Sequence, residues 1–164
     1  MVELDIMTNN NQEKILLTAE GLAKIKKEYQ ELMGKRRQEI AQRIQKAREL
    51  GDLTENAEYD AAREEQAQVE GRIAELEEMM KRAKVVKNSK HPKAIDVGCR
   101  VRVHLEGKDE EFYLVGAPEA DPTKGKISNE SPLGQALLGK KVGEKIEVEA
   151  PVGKLIYKIL DILF

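Results

Sequence analysis

Two narrow apolar stripes, separated by a short break, dominate the first half of the chain. From Thr18 to about Glu49, apolar residues recur at Leu22, Ile25, Tyr29 and Leu32, then resume at Ile40, Ile44 and Ala47, with Arg36 near the seam between the two sets. From about Glu55 to Val86, the positions Ala62, Gln66, Val69, Ile73, Leu76, Met80 and Ala83 alternate in steps of four and three, and Glu, Arg, Gln and Lys fill most of the rest. Stripes this narrow are coiled-coil seams, not the wider face of a globular helix. Thr18 can cap the first helix, and no proline interrupts either one. Each helix has about 30 residues and so spans roughly 45 Å. The short connection makes them antiparallel neighbours.

The pattern changes after Lys87. Asn88-Ser89-Lys90-His91-Pro92 carries turn residues and reads as a linker. Beyond it, Val97 to Leu105 alternates, Glu111 to Val115 alternates less cleanly, and Lys145 to Val148 and Lys154 to Leu163 are strand-like. A short helix fits Pro132 to Leu138, with Ser131 as cap, Pro132 in the first helical position and Gly139 as terminator. The predicted fold class is α+β: a long antiparallel helical hairpin followed by a small, twisted antiparallel sheet with one helix against it. The predicted organisation is a leader over 1–14 that reads as a flexible arm, a hairpin over 15–87, a linker over 88–94 and a second domain over 95–164.

Composition narrows the function classes. With 164 residues, 35% charged, and a formal net charge of −2, the chain is too nearly neutral to bind a polyanion through bulk charge. Trp is absent and aromatics are 4%, which excludes an aromatic base-stacking platform. Cys99 is the single cysteine, so no internal disulfide and no C-x-x-C metal site can form; its alternating surroundings make it a small core residue. His91 and His104 have no ligand-spaced neighbours and read as surface residues. No apolar run approaches the roughly 20 residues of a membrane span. Met1 to Lys14 carries Asp, Glu and three consecutive Asn instead of a signal-peptide core, so a cytoplasmic protein is expected.

The chemistry concentrates where the hairpin turns, in Gly51-Asp52-Leu53-Thr54-Glu55-Asn56-Ala57-Glu58-Tyr59. Asp52 can cap the second helix and Glu55 can complete a capping box, which favours the helix dipole as well. Spacing alone therefore leaves capping as the simpler reading. The same two carboxylates, carried on a rod, can also enter a site that belongs to another molecule. Alone they make a poor Mg²⁺ site, because Mg²⁺ wants six oxygens in octahedral array. With ligands from a second protein and a phosphate they could help hold a metal that activates water for phosphodiester hydrolysis. Glu58, one turn further, is a weaker candidate. Arg48 and Arg63 flank the acids and could hold phosphates of single-stranded RNA. Lys35, Arg36, Arg37 and Arg43, further down the rod, suit a solvated face with weak ion pairs.

The segment from Gly51 to Tyr59, followed by Ala61-Ala62-Arg63-Glu64 and Glu70-Gly71-Arg72-Ile73, resembles the bacterial Gre transcript-cleavage factors of the GreA type. A second matching block runs from Ile127-Ser128-Asn129-Glu130-Ser131-Pro132-Leu133-Gly134 to Leu137-Leu138-Gly139-Lys140, in the same order. The resemblance covers nearly everything from Leu16 onward. It implies that the second domain is FKBP-like and docks on bacterial RNA polymerase near the entrance of the secondary channel, with Ser131, Pro132 and Leu133 in the docking region. It implies that the hairpin enters that channel. There Asp52 and Glu55 help the polymerase hold a second Mg²⁺ and a water, and Arg48 and Arg63 contact the 3′ end of backtracked RNA. The polymerase then cleaves the RNA and resumes elongation. On this reading the chain is an accessory factor and not itself an enzyme. It holds no cofactor tightly, shares Mg²⁺ with the polymerase alone, and acts as a monomer, since the hairpin satisfies its own seam.

Three alternatives belong to other classes. A channel-binding inhibitor of the same architecture would have a tip unable to share a metal, and the intact Asp52 and Glu55 argue against it. A prolyl isomerase needs an aromatic-lined pocket, and the second half offers only Phe112, Tyr113, Tyr157 and Phe164. A plain coiled-coil adaptor would make the tip charges irrelevant to function.

Overall fold

The computed structural model describes residues 14–49, 57–86, 92–151 and 153–163. Strand β1 (Ile15–Leu17) leads into helix α1 (Ala19–Glu31), a π turn (Leu32–Arg36) and helix α2 (Arg37–Glu49). Helix α3 (Ala57–Arg82) returns antiparallel to α1 and α2 and ends in strand β2 (Ala83–Val85), which pairs parallel with β1. The helical period in the sequence runs on to Ala83, but the backbone turns extended there. The pairing of Ile15–Leu17 with Ala83–Val85 satisfies the backbone groups that a fraying helix end would leave to water.

The seam is buried where the sequence placed it. Ile40, Ile44 and Ala62 form a cluster near the far end, joined by Tyr59 and Val69. Leu17, Ile25 and Leu76 form another at the base, joined by Leu22, Tyr29, Leu32, Met79, Met80 and Ala83. The π turn lies between them. Leu32, Arg36, Ile40 and Ile44 are separated by three successive steps of four, one residue more than the seam can absorb as regular helix. The backbone takes up the surplus by donating the Arg37 N–H to the Leu32 carbonyl, a bond one residue longer than the α-helical one. Arg36 points away from the apolar seam toward Glu65 and Glu39.

The C-terminal sheet has strand order β5-β4-β3-β7-β6, built from β3 (Arg100–Leu105), β4 (Lys108–Val115), β5 (Lys126–Ser128), β6 (Lys145–Ala150) and β7 (Gly153–Leu163). The β3–β4, β3–β7 and β6–β7 pairs are antiparallel, as expected, and the β4–β5 pair is parallel. Two 3₁₀ turns, Ala117–Glu119 and Pro122–Lys124, carry the chain back to start β5 in the direction of β4. Helix α4 (Pro132–Leu137) covers the core, with Leu137 fully buried beside Val101, Val103, Leu114 and Ile159. Cys99 belongs to this core, and burial pushes its thiol pKa up, as fits an inert core residue.

Among the described residues, the Glu119 carboxylate ties the two halves together, and Gly116 packs against β1 beside it. Thr18, the cap of α1, donates its N–H to Glu119 Oε2 at 2.8 Å and its hydroxyl to Oε1 at 2.5 Å, while its Oγ accepts the Gly21 N–H at 2.9 Å. A β-carbon on Gly21 would fall 2.0 Å from the Glu119 carboxyl carbon, and one on Gly116 would fall 1.8 Å from the Leu16 carbonyl oxygen. The loop bearing Glu119 is fixed in turn by Asp121, whose pKa is lowered from the usual 3.8 to about 2, mainly by its hydrogen bond with Lys124 and then by the Thr123 hydroxyl. A carboxyl with a depressed folded-state pKa stabilises the fold fully above 3.8 and loses that contribution as pH falls through about 2. Carboxyl-carbon NMR is expected to titrate Asp121 near pH 2, and Asp121→Asn to flatten the stability profile between these limits. A carboxyl titrating at its ordinary value would contradict this.

Candidate functional site

The far end of the hairpin is built on α2 and the first turns of α3. Helix α3 alone has 26 residues and so extends about 39 Å. Residues 50–56 join the two helices there. Asp52 and Glu55 lie in that segment, outside the described residues.

What surrounds them is described, and it is strongly ordered by charge. Arg43 donates to Glu58 at 2.8 Å and to Glu65 at 2.5 Å, and Glu58 is the first cause of its raised pKa. Arg36 meets Glu39 and Glu65. Arg37 donates through two nitrogens to the two oxygens of Glu70, each at 2.6 Å, and this pairing holds the Glu70 carboxyl below its usual range. Near the base, Arg72 pairs with Glu28 and Glu75. These are mostly cross-helix pairs, and they fix the register of α2 against α3 more than they add stability at the surface. Glu58 is therefore committed to Arg43, which weakens it further as a metal ligand.

Arg48 and Arg63 stand apart from this ladder. Among the described residues neither meets a carboxylate. The Arg48 guanidinium carbon sits 5.8 Å from the centroid of the Tyr59 ring, and Arg63 donates to the Gln66 side-chain oxygen at 2.6 Å. Both are exposed. The structure thus separates the rod's arginines into a neutralised set and a pair with charge available. Sequence reasoning passed over Tyr59 as part of a motif; an aromatic residue four positions beyond Glu55, at the end of the seam, was the available signal.

Among the described residues no three His, Cys, Asp or Glu side chains are grouped to hold a metal ion. Asp52 and Glu55 offer two carboxylates, fewer oxygens than Mg²⁺ requires, so as a donor set they fit a shared ion but not one held by this chain alone.

Of the second candidate surface, Ser131 is half-buried and caps α4: its Oγ accepts the Gly134 N–H at 3.1 Å and donates to the Ser128 carbonyl at 2.7 Å. Leu133 packs against the core, and Pro132 is exposed. The three residues are together at one helix start, with Pro132 exposed and Ser131 and Leu133 half-buried. His104 pairs with Asp109 at 2.6 Å on an exposed hairpin, in keeping with a surface residue, and His91 lies outside the described residues. No helix among the described residues is long and apolar enough to cross a membrane.

Comparison with known proteins covers both halves of the chain. Residues 15–85 match the family model for the transcription elongation factor N-terminal domain, and residues 89–164 match the model for the GreA/GreB C-terminal domain. The chain is 50% identical over 151 residues to the transcription elongation factor GreA of Caldanaerobacter subterraneus, covering 90% of this chain and 96% of that one. It is 47% identical over 154 residues to the GreA of Bacillus subtilis, covering 92% and 98%. Among solved structures, the GreA factor homolog 1 of Thermus thermophilus matches with a TM-score of 0.44 at 28% identity, over 93% of this chain and 100% of that one.

Proposed function

The chain belongs to the GreA/GreB family of transcription elongation factors, and from that premise we propose how its residues act. It is an accessory factor that stimulates transcript cleavage. An inhibitor of the same architecture is not favoured, since the names that the relatives carry are those of elongation factors.

In our reading the partner is bacterial RNA polymerase, and the hairpin enters its secondary channel while the C-terminal domain docks outside, with Pro132 at the contact. Asp52 and Glu55 add carboxylate oxygens to the polymerase's own active site. A Mg²⁺ shared in this way supplies an activated water for phosphodiester cleavage. The factor's residues do the rest: the helices hold the carboxylates at a fixed reach, and Arg48 and Arg63 grip the backbone of the backtracked RNA 3′ segment. The observation that carries this reading is the contrast along the rod. Every described arginine contact between Arg36 and Arg43 ends on a carboxylate or a neighbouring sulfur, whereas the two arginines flanking residues 50–56 keep their charge available.

The test is cleavage in a stalled, backtracked elongation complex. The factor is expected to accelerate shortening of the RNA only when polymerase is present. Arg48→Ala and Arg63→Ala should each weaken engagement of the RNA and reduce the salt dependence of cleavage by about one ion, while polymerase docking persists. RNA cleavage by the purified factor alone would defeat the mechanism, and an unchanged salt slope would remove the arginines from it.

A further inference from the structure

Arg48 differs from the other arginines that line this rod in what holds it. Arg36, Arg37, Arg43 and Arg72 each meet at least one carboxylate, which takes up both their charge and their N–H groups. Arg48 instead meets a ring, with its guanidinium carbon 5.8 Å from the Tyr59 centroid. A ring attracts a cation through its quadrupole without accepting the guanidinium's in-plane hydrogen bonds. The charge and the planar fork of donors therefore stay available to an anion. Tyr59 is itself well seated: it is half-buried and packs against the cluster of Ile40, Ile44 and Ala62. Arg48 lies on the last turn of α2 and Tyr59 on the first turn of α3, so the contact bridges the two helices next to residues 50–56.

We propose that Tyr59 is a positioning residue for transcript cleavage: its ring holds the Arg48 guanidinium in place so that the N–H fork meets a phosphate of single-stranded RNA. The proposal rests on the reading that Arg48 contacts the RNA. An arginine on a helix end samples many rotamers and loses that freedom when it binds a phosphate. A side chain already held over a ring loses less, so the ring raises affinity for RNA without touching it. The ligand class follows from the donor: a phosphodiester oxygen pair, which a planar fork meets in bidentate fashion and a lysine would not.

The experiment measures cleavage in the stalled, backtracked complex across factor and salt concentrations, using Arg48→Ala, Tyr59→Leu, Tyr59→Phe and the double variant Arg48→Ala/Tyr59→Leu. Tyr59→Leu is expected to lower cleavage at limiting factor about three- to fivefold, the scale of an exposed cation–π contact. Tyr59→Phe should restore most of that loss, because the ring face remains. In the Arg48→Ala background, Tyr59→Leu should add nothing. The positioning role is overturned if Tyr59→Leu matches the parent while Arg48→Ala is impaired, if the two losses multiply, or if Phe is as poor as Leu. If Arg48→Ala has no effect, the RNA reading itself falls and takes this proposal with it. One measurement does not depend on any variant: the Arg48 side-chain protons of the intact protein should show an upfield ring-current shift in NMR. Unshifted resonances overturn the contact directly.

Discussion

Exchanging Asp52 for Asn and Glu55 for Gln together is expected to lower stimulated cleavage by roughly a hundredfold or more, the scale on which metal-assisted hydrolysis depends on its ligands. The exchange is chosen to leave the fold alone. Asn caps a helix as well as Asp does, and Gln can close a capping box as Glu does. What changes is charge, since neutral amides are poor donors to Mg²⁺. Loss of two acids near a helix start costs about 0.3–1 kcal/mol each through the dipole. The hairpin can absorb that, because α3 is held by the apolar clusters along its length and by the Arg37–Glu70 pair well away from residues 50–56. Circular dichroism of the double variant should therefore retain its helix signal while cleavage collapses. Cleavage that survives with the fold intact would return Asp52 and Glu55 to the role of caps.

The second large effect is expected at the joint between the two halves. Gly116→Ala places a β-carbon 1.8 Å from the Leu16 carbonyl oxygen and 2.9 Å from its carbon. Both atoms are backbone, so no rotamer can relieve the overlap. Either β1 withdraws from the C-terminal domain or the turn that carries Glu119 moves. In both cases Thr18 loses the carboxylate that accepts its N–H and its hydroxyl. Overpacking and a lost pair of charge-assisted hydrogen bonds together cost about 2–4 kcal/mol. Hydrogen exchange at Thr18 and its neighbours should accelerate accordingly, and small-angle scattering should show a broader range of interdomain arrangements. Parental exchange rates at Thr18 would show that the joint does not depend on this close approach. Gly21→Ala should be milder, because the atom it meets is the end of the flexible Glu119 side chain.

The parts legible in advance were those governed by short-range rules. Thr18 and Ser131 are caps because their hydroxyls accept N–H groups three residues on, and both were readable from residue type and position. Ile25, Ile40, Ile44, Ala62, Ile73 and Leu76 are buried because the heptad pattern puts them on one seam. What escaped depends on partners far along the chain. Ala83–Val85 has helical periodicity but becomes a strand because Ile15–Leu17 lies beside it. Strand β5 pairs parallel with β4 because two consecutive 3₁₀ turns reverse the approach, and nothing in the alternation of Lys126–Ser128 reveals a direction. Glu119 is 101 residues from the cap it serves. In the site, Arg48 and Arg63 were legible as flanking charges, but their distinction from Arg36, Arg37 and Arg43 needed the cross-helix pairing to be seen.

The π turn at Leu32–Arg36 has a consequence for the geometry of delivery. A single surplus residue in the middle of the outgoing arm sets the angular phase of everything beyond it. Straightening that turn into regular α-helix without removing a residue would rotate α2 by about 100° relative to α1. Ile40 and Ile44 would leave the seam, and Arg48 would swing away from Tyr59, although no residue near the far end had changed. The azimuth at which the rod offers its arginines is thus encoded in its middle, about 12 residues (some 18 Å of helix) from the groups it aims.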